Sequence, residues 1–177
     1  MTLKPEHRIF VALDTADLDL GLELARALKG LVGGMKIGKE FFTALGPEGV
    51  RKIQAAQMPI FMDLKFHDIP NTVAGAVRAA IPLRPAILNV HAAGGRTMME
   101  AARDASAAES QRLGVEKPLV LAVTVLTSLD ANDIADIGVI GRPVDQVKRL
   151  AALTQESGLD GVVCSANEIE PLRDQCG

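Results

Sequence analysis

Asp63, Lys65, His67 and Asp68 put two acids, a cation and an imidazole within six positions, at the end of the apolar run from Met58 to Met62. In an extended chain alternate side chains share a face, so Asp63 and Lys65 are expected side by side, close enough to pair. Pro70 stops extended pairing, which leaves Asp68 beyond the strand, at the start of a turn and helix. Charges at the mouth of a buried strand lose hydration that only partners or a ligand restore. A structural salt bridge is one reading, but two acids around one lysine exceed what a single pair needs. A metal site, with Asp63, His67, Asp68 and His91 as ligands, is a third. An ammonium between two carboxylates already fills the place a divalent cation would take. The expected site is lysine-centred, with no metal and no cofactor.

Positioning such a site falls to a repeated strand–helix unit. Strands are expected at Arg8 to Asp14, Met35 to Gly38, Met58 to Met62 running into the charged stretch, Ala86 to His91, Leu119 to Leu126 and Gly161 to Cys164. Between them lie segments with apolar residues at helical spacing: Leu18, Leu22, Ala25 and Leu28; Val73, Val77, Ala80 and Ile81; Val147, Leu150, Ala151 and Thr154. A helix through Phe41, Phe42 and Leu45 is expected to restart at Pro47, a favoured first-turn residue. Strands alternating with helices imply a parallel sheet covered by helices. Asp14, Lys36, Asp63, Lys65, His91, Thr127 and Ser165 all fall at or near strand C-termini, where (β/α) barrels place their active sites. The stretch after the first strand is not a glycine-rich phosphate loop, so a TIM (β/α)8 barrel is favoured over an open doubly wound sheet. At roughly 30 residues per unit such a barrel needs about 230–250 residues. The 177 residues supply about six of eight βα units, a single partial barrel domain over residues 1–177.

Composition excludes several classes. The chain is 48% hydrophobic and 23% charged with a net charge of −3, which gives no electrostatic case for nucleic acid or an anionic membrane surface. With no Trp or Tyr and only five Phe, stacking platforms for bases are not expected. No apolar run approaches the ~18 residues of a membrane span, and no signal peptide is expected at the N-terminus. Cys164 and Cys176 form neither a CxxC pair nor a disulfide framework, so a cytoplasmic location is expected.

Ala12-Leu13-Asp14, Met35-Lys36-Ile37-Gly38, the run Asp63 to Thr72, Val90-His91-Ala92 and Asp160 to Ser165 resemble the orotidine 5′-monophosphate decarboxylase family, over essentially the whole chain. The resemblance implies a homodimeric TIM barrel, a carbon–carbon lyase that converts orotidine 5′-phosphate to UMP and carbon dioxide without metal or organic cofactor. It implies Lys65 as proton donor, Asp63 against the substrate carboxylate, and Lys36 on the ribose and the acidic network. It further implies Asp14 on the ribose hydroxyls, Thr127 on the pyrimidine, and Asp68 and Thr72 reaching into the partner subunit's site. The residues agree: an alternating Lys36, Asp63, Lys65 and Asp68 array could stabilise a carbanion and then protonate it.

The family's phosphate grip, an arginine and backbone amides after strands seven and eight, has no counterpart here. Arg142 and Arg173 read as solvated helix-flanking charges, and the chain as written is expected to be a truncated and very poor catalyst. Two alternatives stand beside this reading. One is a Mg²⁺-dependent sugar-phosphate decarboxylase or aldolase of the same suprafamily, which typically carries a glutamate ligand where this chain has Lys36. The other is an inactive fragment with a binding role. His91 reads equally as site-lining or structural, His67 as an outward structural residue, Cys164 as a small buried side chain, and Ser165 as a helix cap.

Overall fold

The computed structural model describes residues 4–177. Six parallel strands are hydrogen-bonded in the order in which they occur in the chain: β1 (Phe10–Leu13), β2 (Gly34–Ile37), β3 (Ile60–Phe66), β4 (Ile87–His91), β5 (Leu119–Val123) and β6 (Gly161–Val163). The helices are α1 (Leu18–Leu28), α2 (Lys39–Gln54), α3 (Pro70–Ala80), α4 (Arg96–Leu113), α5 (Ala131–Asp136), α6 (Pro143–Glu156) and α7 (Ile169–Cys176). This is the strand–helix alternation of a (β/α) barrel, with six units present.

Local chemistry explains most boundaries. Asp17 caps α1 by accepting from the amides of Asp19 (2.8 Å) and Leu20 (3.2 Å). Pro70 opens α3 and Pro143 opens α6, each at a position whose amide has no helical partner. Asp130 and Asp133 cap each other's backbone at the start of α5. The expected restart at Pro47 is present as a break inside α2, where Gly46 takes φ 59°, ψ −163°. Gly34 has a different reason: a Cβ there would stand 2.4 Å from the Phe10 ring and 2.5 Å from the Pro59 carbonyl. Only glycine lets β1 and β3 close on β2.

Four strands are shorter than expected, β4 and β6 by a single residue and β1 and β5 by more. Pro5–Arg8 forms a 3-10 turn, so β1 starts at Phe10 rather than Arg8. Ladder pairing for β5 ends at Val123 because its neighbour β6 is only three residues long. Beyond it the backbone turns, with the Leu129 amide bonding the Leu126 carbonyl (3.0 Å) and Leu126 exposed.

The core lies between sheet and helices. Leu13, Met35, Ile37, Leu88, Val90, Val120 and Ala122 from the strands are fully covered, against Phe41, Val50, Ile53, Val77 and Met99 from α2, α3 and α4. A smaller cluster of Val147, Ala151 and Leu172 joins α6 to α7. This burial holds the strand ends rigid beneath the polar residues they carry. Among the described residues β1 and β6 each have one strand neighbour. No helix is long and apolar enough to cross a membrane.

Candidate active site

The C-terminal ends of the first four strands converge on one carboxylate. Asp63 on β3 is 8% exposed. Its Oδ1 accepts from Lys65 Nζ at 2.6 Å and from Asn89 Nδ2, on β4, at 2.7 Å. Its Oδ2 faces Lys36 Nζ, from β2, at 3.2 Å, and that ammonium lies 3.9 Å from Asp14 Oδ1 just past β1. Burial pushes the Asp63 carboxyl up, but the donors Lys65, Asn89 and Lys36 together hold it below the usual carboxylate range. One buried anion therefore serves two ammoniums. With Asp14 the row holds two carboxylates and two ammoniums, balanced in charge, with the Lys65 ammonium at its cationic end.

The pairing of Asp63 with Lys65 agrees with their spacing, but the strand that makes it is not regular. The register of β3 against β4 shifts between Met62 and Phe66, and Lys65 sits at φ 53°. Left-handed backbone costs a non-glycine residue about 1–2 kcal/mol. It is compensated here by the Lys65 amide, which donates to Asn89 Oδ1 at 2.8 Å. Asn89 was absent from the sequence-level candidates although a signal existed: an amide amid Ile87, Leu88 and Val90 must find partners if buried. It is fully buried, and both ends of its amide are used.

Asp68 is exposed, and its Oδ1 accepts from the Ile69 amide (2.6 Å) rather than from Lys65. Within the protomer the array is thus Asp14–Lys36–Asp63–Lys65, not a lysine between Asp63 and Asp68. Thr72, in the first turn of α3, is exposed, as is Ile69 (67%). Thr127 lies exposed in the turn after β5, and among the described residues no hydrogen bond ties it to the array. His67 is exposed and its ring lies 5.3 Å from that of half-buried His91. Burial, then the neighbouring cationic groups His67, Lys39 and Lys65, lower the His91 pKa against a smaller opposing pull from Asp63.

Four acids and imidazoles named as a ligand set, Asp63, His67, Asp68 and His91, do not converge; no metal-holding cluster of three occurs among the described residues. Ser165 caps the 3-10 turn Ala166–Glu168 that leads into α7, in a reciprocal box with Glu168. Arg142 pairs with Asp145 in the first turn of α6, and exposed Arg173 donates to the Gly177 carbonyl. Burial raises the Cys164 thiol pKa, as expected for a residue that is not an activated nucleophile. A cavity of about 450 Å³ lined by Val162, Cys164, Leu172 and Cys176 contains none of the charged array.

The profile of the orotidine 5′-phosphate decarboxylase / HUMPS family matches residues 7–177. An orotidine 5′-phosphate decarboxylase of Rhodospirillum rubrum is 54% identical over 178 residues, covering 100% of this chain and 72% of the relative. The crystal structure of the Lactobacillus acidophilus orotidine 5′-phosphate decarboxylase superposes with a TM-score of 0.86 at 34% identity, over 96% of this chain and 76% of that one. The Methanocaldococcus jannaschii enzyme complexed with inhibitor BMP shares the fold, with a TM-score of 0.75 at 18% identity, over 94% of this chain and 72% of that one. With the family profile covering all but the first residues and close relatives aligned throughout, the chain belongs to the orotidine 5′-phosphate decarboxylase / HUMPS family.

Proposed function

We propose that this chain decarboxylates orotidine 5′-phosphate to UMP, the closing step of pyrimidine nucleotide synthesis, through the Lys36–Asp63–Lys65 array. The observation that carries the reading is the single buried Asp63 carboxylate clamped between two ammoniums, at 2.6 and 3.2 Å. Loss of carbon dioxide breaks a bond from a ring carbon and leaves its electron pair there. That pair is poorly delocalised, so a preorganised cation in a partly water-excluded site is the effective form of stabilisation. Lys65 supplies the cation and then the proton, completing the exchange of a carboxylate for hydrogen. Its side chain is 25% exposed, so the neutral amine can recover a proton from solvent. Asp63 holds the Lys65 ammonium in place until the carbanion forms.

The remaining assignments rest on the resemblance to the family. Asp14 and Lys36 receive the ribose, and Thr127 receives the pyrimidine. Asp68 and Thr72, exposed on either side of Ile69 and Pro70, complete the site of a second subunit in a homodimer. The enzyme works in the cytoplasm without cofactor. A Mg²⁺-dependent sugar-phosphate reaction is the less favoured reading, because the ammonium of Lys36 lies where a cation ligand would be required.

The test is to follow conversion of orotidine 5′-phosphate to UMP before and after exhaustive chelation. The expected result is turnover that survives chelation. Turnover of a sugar phosphate instead, lost on chelation and restored by Mg²⁺, would overturn the assignment.

A further inference from the structure

Asn89 touches no exposed surface, yet its side chain is spent entirely on the charged stretch of β3. The sheet does not need it, since the backbone of Asn89 continues the β4 ladder opposite Leu121. A leucine would fill similar space and remove the cost of burying an amide. Instead Nδ2 donates to Asp63 Oδ1 at 2.7 Å, the same oxygen that takes the Lys65 ammonium at 2.6 Å. Oδ1 accepts the amide of Lys65 at 2.8 Å, at the residue whose backbone is left-handed. One side chain thus grips the carboxylate of one charged residue and the backbone of its partner.

We propose that Asn89 is the positioning residue of the array, fixing the Asp63 carboxylate and the left-handed Lys65 backbone so that the Lys65 ammonium approaches from one set direction. It touches no reacting atom; it acts through Asp63 and Lys65. A displacement of about 1 Å in such a group costs on the order of 100-fold in rate. The inference rests on the decarboxylase reading for its kinetic arm and stands apart from it in its structural arm.

Replacement by aspartate separates positioning from simple packing. The charged groups about this position are Asp63 and Lys65 on β3, Lys36 on β2, Asp14 after β1, Lys39 at the start of α2, His91 on β4 and His67 after β3. Two carboxylates facing each other cannot both ionise cheaply and come to share a proton. When protonated, an aspartic acid at position 89 offers the same donor to Asp63 and acceptor to the Lys65 amide as the native carboxamide. When ionised, it repels Asp63.

The experiment compares wild type, Asn89→Leu and Asn89→Asp. The readouts are kcat and KM for orotidine 5′-phosphate between about pH 8 and 5.5, and hydrogen exchange at individual backbone amides. Asn89→Leu should lose about 100-fold in kcat with little change in KM at every pH. Its Lys65 amide should lose protection while those of Leu88 and Val90 keep theirs. Asn89→Asp should be impaired at high pH and recover relative to wild type as pH falls. A leucine variant with wild-type kcat and a protected Lys65 amide would overturn the proposal, as would an aspartate variant whose ratio to wild type is flat with pH. If Asn89→Leu does not fold, Asn89→Asp carries the decision alone. A wild-type chain without turnover would sink the decarboxylase reading, while the exchange measurement would still decide the role of Asn89.

Discussion

Lys65 joins two demands that sequence spacing does not reveal: an ammonium 2.6 Å from a buried carboxylate, and a backbone at φ 53°. Strain at such a position persists only when its surroundings over-determine it. The first prediction separates the two. Lys65→Ala and Lys65→Gly should both lose decarboxylation by about 10²–10⁴-fold, the range of a missing proton donor, as read by product formation. Lys65→Gly should nevertheless be the more stable of the two by up to about 1 kcal/mol in urea unfolding, because glycine adopts positive φ without a steric cost. A glycine variant less stable than the alanine one would mean that the left-handed backbone carries little strain, because glycine also adds freedom to the unfolded chain. Asp63 gives a second prediction, in acid. Its folded pKa lies below the ordinary value of 3.8, because Lys65, Asn89 and Lys36 outweigh burial. Its stabilising effect is therefore complete above the unfolded carboxylate pKa and is lost as pH falls through the lower folded value. The stability gap between wild type and Asp63→Asn should be level near neutrality and narrow below about pH 4, measured by urea unfolding at each pH. A gap that widens in acid would contradict the direction of the shift.

At the scale of elements, the break in α2 is a local decision with a measurable cost. Gly46 at φ 59°, ψ −163° occupies a region nearly closed to other residues, and a Cβ there meets nothing within 4 Å. Gly46→Ala should thus destabilise through backbone strain alone, by about 1–3 kcal/mol, without changing KM for substrate. An unchanged denaturation midpoint would show that the break tolerates alanine. Such elements were legible because their causes are local: Gly46-Pro47, Pro70, Asp130 and the apolar runs of the strands act within a few residues. The ends of β1 and β5 were not: a 3-10 turn over Pro5–Arg8 delays the start of β1, and β5 stops pairing where its short neighbour β6 does. Of the site, Lys36, Asp63 and Lys65 were legible from charge placed in apolar strands, and Asp14 from the end of the first one. The detachment of Asp68 from Lys65 was not. Nor was the positive φ of Lys65, since no local preference announces a left-handed lysine and the amide there is held by Asn89, 24 residues on.

Across the whole molecule, the charged array opens beside a surface made by Asp68, Ile69 and Thr72, none of which is covered within the protomer. In a symmetric dimer built through this face, each subunit would offer its Asp68 to the site of the other. Mixing an inactive Lys65→Ala protein with an inactive Asp68→Ala protein should then restore activity, to about one quarter of wild type at equal mixing, since half the dimers are mixed and each holds one intact site. Heterodimers that form yet show no turnover would place Asp68 outside the shared site.

The strand order β1 to β6 repeats the order of synthesis, each strand pairing with the one before it in the chain. Each new βα unit finds its pairing edge already built by the unit translated before it, so contacts form between near neighbours in the chain and loop closure stays short. Folding can therefore advance vectorially on the ribosome, in steps of one strand and its helix. Lys65 would be among the early parts in place: Lys36, which shares its partner Asp63, and Asn89 lie on the strands just before and just after its own, so the charged centre is assembled once β4 has emerged.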